Sequence, residues 1–305
     1  MAKLRLLLAM GKPRILMLMC GLALAGAVLS PDFLSPAFPE TRLGRLLQSP
    51  PRIWSLAHAV GAALVVGLLW VGTAIIAEIA DRSVNAIGDP GRPAPDCRMR
   101  PTVALRWALG AQALAFLLVL AEGSRQAMTL ALIGAGLGNA YSLPPLRFRG
   151  LGTAAHLIVG GGATLAITGG LIAQTGATEV GLLSAGALGV LAAAVSLIKE
   201  FQEPDADRAA GVRTLPILVG IRAAVYINMA AVVGAYLLAL FLLIHTIGVH
   251  EKVIAVFFLP LGANLSVLHR LAADRSPETA RRAYDHAVII YMGVTALYVG
   301  AQAIY

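Results

Sequence analysis

The chain has 305 residues, of which 58% are hydrophobic and only 13% charged, with a mean hydropathy of +0.78 and a formal net charge of +8. So apolar a composition excludes a soluble globular domain and matches an integral membrane protein. The two isolated cysteines and six scattered histidines exclude a disulfide framework and a zinc site, since neither set has the paired spacing those structures need.

Apolar runs follow one another near 15–30, 57–77, 103–121, 127–143, 153–173, 180–198, 223–247, 253–268 and 284–304. Most are long enough to cross about 30 Å of hydrocarbon, and no strand-length alternation competes with them. The expectation is an all-α bundle of nine transmembrane helices, the first of them short. MAKLRLLLAMGKPR ahead of ALAGAVLSP also has the charge and small residues of a secretory signal. A retained first helix agrees better with the charge count, because with the N-terminus inside 19 of the 24 Lys and Arg fall on one side. That bias predicts an N-in, C-out topology, and it reads as contact with anionic lipid rather than nucleic acid.

Two segments gather charge in this apolar chain. EIADRSVN (78–85) ends the second run, and KEFQEPDADR (199–208) ends the sixth. Glu78, Asp81 and Asn85 stand at i, i+3 and i+7, and Glu200, Glu203 and Asp207 repeat that spacing. In a helix those offsets share one face. Both helices are even-numbered, so the two columns emerge on the same side and can face each other. Two solvated helix ends are the plainer reading, yet it leaves the shared spacing unexplained, and ionisable groups at membrane depth are functional by default. Facing carboxylates suit Mg²⁺, which takes oxygen ligands and is held by one or two carboxylates together with substrate phosphates. A transporter of divalent cations or organic phosphates is a further class, but it would place its charges near the midplane rather than at one face.

The residues resemble the UbiA superfamily of intramembrane prenyltransferases. AEIADRSVN (77–85) is similar to the family's NDxxDxxxD, and AIGDPGRPAPDCRM continues as the family does. YSLPPLRFRG (141–150) is similar to its YSxPPxRLK, and KEFQEPDADRAAGVRTLPILVG (199–220) to KDxxDxxGDxxxGxxTLPxxxG. The departures are Ala77 and Glu78 for Asn-Asp, Asn85 for the last Asp of the first motif, and Glu200 and Glu203 for two Asp of the second. Glu keeps the carboxylate on a longer arm. Asn85 offers only a neutral carbonyl, which weakens a hard-cation site.

The resemblance implies one membrane domain over 1–305, in two pseudo-repeated halves, with the loops at 81–101 and 199–216 capping the site on the cytoplasmic side. It implies Mg²⁺, two ions in the family pattern with Mn²⁺ as a substitute, held by Glu78, Asp81 and Asn85 on one side and Glu200, Glu203 and Asp207 on the other. Arg92, Arg147, Lys199 and Arg208 would bind the diphosphate of a short or polyprenyl diphosphate, with Tyr141 near the leaving oxygen and Asp81 and Asp207 central to catalysis. Each has a plainer reading: loop order for Arg92, topology charge for Arg147, an interfacial anchor for Tyr141, and pairing with neighbouring carboxylates for Lys199 and Arg208. The implied reaction moves an isoprenyl chain onto a small hydrophobic acceptor, an aromatic or quinone-precursor ring first, in a bacterial cell membrane. The alternatives are a terpene cyclase of the same superfamily and transfer to a non-aromatic lipid or tetrapyrrole. The glycine-rich stretches 132–141 and 157–170 serve equally as channel wall or as helix packing.

Overall fold

The structure, a computed structural model, describes residues 12–30, 51–80, 100–174, 178–202, 204–209, 211–248 and 250–304. Among the described residues there is no strand, and the long helices are α1 (Pro13–Leu29), α2 (Pro51–Ala80), α3 (Pro101–Glu122), α4 (Arg125–Ser142), α5 (Ala155–Gln174), α6 (Glu179–Ser196), α7 (Ile221–Ile247), α8 (Glu251–Ala273) and α9 (Pro277–Ile304). Seven of these, all but α1 and α4, are long and apolar enough to cross a membrane on their own. The 17-residue α1 is shorter, and α4 carries Arg125, Gln126 and Asn139.

Local chemistry sets the ends. Pro13 and Pro101 open α1 and α3, where a missing N–H costs nothing. Ser124 and Thr178 cap α4 and α6 by accepting from the N–H of Ala127 and Gly181. The apolar run predicts a start for α9 near 284, but the helix begins at Pro277, because Ser276 Oγ accepts from Thr279 N at 3.2 Å and the first turn is solvated by charge. Beside it, hydrogen bonds from the Thr279 hydroxyl and from Ser276 hold the Asp274 carboxyl below its ordinary range.

The second acidic segment departs from the sequence expectation of one continuous column. After Ser196 the chain tightens into a 3-10 turn, Leu197–Phe201, and a new short helix starts at Pro204 and runs to Ala209. Proline has no N–H to continue the helix and pushes the residue before it out of the α region. Lys199 and Glu200 therefore lie in one element and Asp207 in another, and the shared helical face is lost.

Helix α5 is central, packing against α1, α2, α4 and α6. Glycines set two of those crossings. A Cβ at Gly26 would run into the carbonyl of Ile167, and one at Gly170 into that of Ala23, so α1 and α5 touch backbone to backbone. A Cβ at Gly160 would lie 2.5 Å from the Gly189 carbonyl oxygen across the α5–α6 crossing. In lipid this close approach is the main source of helix association. Polar clasps add to it: Gln112 and Asn139 exchange amide hydrogen bonds of 3.1 and 3.2 Å between α3 and α4, and Tyr291 donates to the Leu188 carbonyl at 3.0 Å between α9 and α6. The main core lies among α1 and α5–α9, around Leu188, Leu191, Tyr236 and Tyr298.

Candidate active site

A cavity of about 690 Å³ lies between α1, α2, α3, α4, α5, α6 and α9. On α5 it is lined from His156 to Ala173, which at 1.5 Å per residue is a length of about 25 Å. Most of the wall is apolar, from Leu18, Val66, Leu69, Ala131 and Ala166, with Gly134, Gly162 and Gly169 widening it. A Cβ on Gly162 or Gly134 would meet nothing within 4 Å. The glycines thus divide by position, Gly26, Gly160, Gly170 and Gly189 serving helix packing and Gly134 and Gly162 the channel wall.

One end of the cavity is polar. Lys12, Arg14, Tyr141, Lys199, Gln202 and Asp285 line it, together with Ser142, His156 and Ser196. Two ion pairs fasten α1 there. Lys12 Nζ lies 3.0 Å from Glu78 Oε1 at the end of α2, and Arg14 lies 2.6 Å from Asp285 in the third turn of α9. Glu78 is buried. Its carboxylate already holds a cation, the Lys12 ammonium, so its chemistry and orientation fit a positive ion at the cavity's mouth.

The sequence-derived residues divide accordingly. Tyr141 and Lys199 line the cavity, and Glu78 stands at its polar end. Asp207 is half-buried in the short helix Pro204–Ala209. Arg208 is exposed and pairs with Asp205 at 3.2 Å, and Arg147 is exposed in the left-handed region just after α4. Asp81, Asn85, Arg92 and Glu203 lie outside the described residues, as does most of the 81–101 loop. Among the described residues no three His, Cys, Asp or Glu side chains converge as a metal-ligand set.

Glu200 is buried and turned into the protein. Its Oε2 accepts from the Leu215 N–H at 2.7 Å and from the Thr153 hydroxyl at 3.3 Å, and its Oε1 lies 3.1 Å from His156 Nε2. The other ring nitrogen of His156 is 2.7 Å from Ser196 Oγ, which itself donates to the Ala193 carbonyl at 2.8 Å. Sequence reasoning missed Lys12 and His156. Lys12 was legible only as a topology charge ahead of Pro13, and His156 only as one of six scattered histidines. The one cue to His156 was its polarity at the start of an otherwise apolar run.

The family model for UbiA prenyltransferases matches residues 41–293. The chain belongs to the UbiA prenyltransferase family. A digeranylgeranylglyceryl phosphate synthase of Halobacterium salinarum is 36% identical over 190 residues, a stretch that covers 58% of this chain and 63% of that protein. The synthase of the same description from Natronomonas pharaonis is 31% identical over 197 residues, covering 61% and 69%. The chain thus spans 63% of the length of the Halobacterium relative it matches. Among solved structures, one described as giving insights into digeranylgeranylglyceryl phosphate synthase in membranes superposes with a TM-score of 0.69 at 18% identity over 100% of both chains. A UbiA homologue from Archaeoglobus fulgidus bound to DMAPP and Mg²⁺ gives 0.64 at 16% identity, covering 96% of this chain and 99% of that one. These likenesses show the UbiA fold, and the family match together with seven helices long and apolar enough to cross a membrane marks an integral membrane protein.

Proposed function

We propose that the protein transfers a prenyl chain from a prenyl diphosphate to the hydroxyl group of a glycerophosphate lipid within the membrane, with Mg²⁺ at the diphosphate. The observation that carries this reading is the cavity, about 25 Å of apolar wall ending among Lys12, Lys199 and Tyr141 beside buried Glu78. An isoprenoid tail matches the apolar length and a diphosphate matches the charged end. The glycerophosphate acceptor, rather than the aromatic ring expected first, rests on the relatives named as digeranylgeranylglyceryl phosphate synthases.

The chemistry is departure of a leaving group followed by capture. The allylic C–O bond to the diphosphate breaks, the acceptor hydroxyl oxygen forms a new C–O bond to the same carbon, and the hydroxyl proton is released. A divalent cation would supply charge neutralisation for the departing diphosphate. Glu78 and Asp207 would hold it, joined by Asp81 from the first motif and Glu203 from the second. Lys12 and Lys199 bring positive charge to the leaving oxygens, Lys12 exchanging its contact with Glu78 for one with the diphosphate. The apolar wall keeps water from the carbocation until the acceptor arrives. In this reading all nine long helices cross the membrane, N-terminus inside, and the polar end faces the cytoplasm, as the Lys and Arg bias requires.

The cavity assignment predicts the effect of Gly162→Leu. The new side chain enters the open channel rather than a neighbour, so the fold is retained and the accepted tail is shortened. Assayed with prenyl diphosphates of increasing length, the variant is expected to lose longest-chain turnover by about tenfold or more relative to the shortest, an effect of roughly 1.4 kcal/mol in transition-state binding. An unchanged length preference would contradict the placement of the tail along α5.

A further inference from the structure

We infer that Glu200 is a positioning residue rather than a metal ligand, and that it pins together three segments that carry or follow the candidate site residues Arg147, Lys199 and Asp207. The inference rests on the proposed reading of the site and revises one part of what the motif implies.

Each direction in which this carboxylate can bond leads into the protein. Oε2 accepts from the Leu215 N–H and the Thr153 hydroxyl, and Oε1, which is buried and makes no hydrogen bond among the described residues, lies 3.1 Å from His156 Nε2. Glu200 is only 5% exposed, and it is absent from the cavity lining to which its neighbour Lys199 contributes. A hard cation needs carboxylate oxygens directed at it. Here they are directed at an N–H, a hydroxyl and a ring nitrogen.

A second observation marks the same place as a joint. Gly152 has φ +62°, in the region that favours glycine, and a Cβ there would run into the Arg213 carbonyl and lie 3.3 Å from Thr214 N. The segment after α4 therefore meets the 213–215 segment backbone to backbone, one residue from Thr153 and one or two from Leu215. Glu200 closes that meeting from a third side. The segments joined are 147–153, which carries Arg147; the 3-10 turn, which carries Lys199; and 211–215, which follows the short helix of Asp207. Through His156 the joint is also fastened to α5 and the cavity wall.

Side-chain length accounts for the departure from the family's Asp. A glutamate reaches Leu215, Thr153 and His156 together, whereas an aspartate at this position ends one methylene, about 1.5 Å, short of them. Glutamine keeps the reach and an acceptor oxygen for Leu215 and Thr153, and removes the charge.

The test compares Glu200→Gln, Glu200→Asp and Asp207→Asn in the purified full-length protein in detergent. Three properties are measured: thermal midpoint without metal, Mn²⁺ bound in the presence of inorganic pyrophosphate by electron paramagnetic resonance, and the apparent Mg²⁺ constant of turnover. Glu200→Gln is expected to keep Mn²⁺ affinity and the Mg²⁺ constant within about twofold of the parent, while Asp207→Asn weakens both by about tenfold or more. Glu200→Asp, which restores the family's residue, is expected to lower the thermal midpoint more than Glu200→Gln and to cut turnover about tenfold with an unchanged Mg²⁺ constant. Loss of a bound Mn²⁺ in Glu200→Gln, or a Glu200→Asp protein as stable as the parent, overturns the inference. A parent protein that binds no Mn²⁺ with pyrophosphate and has no turnover defeats the functional reading instead. The order of the metal-free thermal midpoints then still decides whether Glu200 pins the joint.

Discussion

Asp207→Asn is expected to lower turnover about a hundredfold while leaving the protein folded and membrane-inserted, the loss typical of removing one electrostatic group from a transition-state site. Asp207 sits in a six-residue helix none of whose described residues belongs to the main core, so the substitution should leave the thermal midpoint near that of the parent. Its carboxylate is needed in the proposed reaction because a polyanionic leaving group cannot depart beside Glu78 unless cations are held between them. With Glu200 turned into the 213–215 joint, the second motif has lost one of its three carboxylates, and the weight on Asp207 rises. Asparagine keeps the shape and removes the charge. Raising Mg²⁺ should recover part of the activity, since mass action offsets a weakened site. The check is a Mg²⁺ titration of steady-state rates, and a loss under about tenfold at saturating Mg²⁺ would remove Asp207 from the cation site.

The second large effect is on the fold. Gly170→Val should abolish accumulation of stable protein, or lower its thermal midpoint steeply, through a cost of about 3 kcal/mol or more. Any Cβ at that position meets the Ala23 carbonyl, which belongs to the backbone of α1 and cannot rotate away. Relief requires α1 and α5 to separate, and α1 is also the helix that Lys12 and Arg14 fasten to α2 and α9 at the cavity's polar end. Gly26→Val should act in the same way from the other side of the crossing, against the Ile167 carbonyl. Gly161→Ala is the control: a Cβ there meets nothing within 4 Å, so the change should fall within about 0.5 kcal/mol of the parent. A stable Gly170→Val protein would refute the backbone contact between α1 and α5.

Apolar content made the helices legible in the sequence, to within a turn at most ends. It fell short where a helix continues on solvated charge, as α9 does back to Pro277. Motif spacing pointed to Glu78 and Lys199 and the family resemblance to Tyr141; Tyr141 and Lys199 line the cavity, and Glu78 pairs with Lys12, which also lines it. Of the single helical face proposed for Glu200, Glu203 and Asp207, the structure puts Glu200 and Asp207 in separate elements, and the break at Pro204 is visible in KEFQEPDADR itself. The partnerships that matter most were not legible. Lys12 meets Glu78 across 66 residues and Glu200 meets Thr153 across 47, and such contacts follow from how helices cross rather than from any periodicity along them. The roles of individual glycines were hidden for the same reason. Gly160 and Gly162 are neighbours in one glycine run, yet the first packs against α6 and the second opens into the cavity.

The most direct measurement of the proposed activity is product formation by membranes containing the protein. They would be supplied with a radiolabelled prenyl diphosphate and, in parallel, a prenylated glyceryl phosphate, an aromatic carboxylic acid acceptor such as hydroxybenzoate, or no acceptor, each with Mg²⁺ and with EDTA. The expected result is a labelled ether lipid in the glyceryl phosphate arm alone, absent in EDTA and restored by Mg²⁺ or Mn²⁺. Label transferred to the aromatic ring, a cyclised product without acceptor, or full turnover in EDTA would contradict the account.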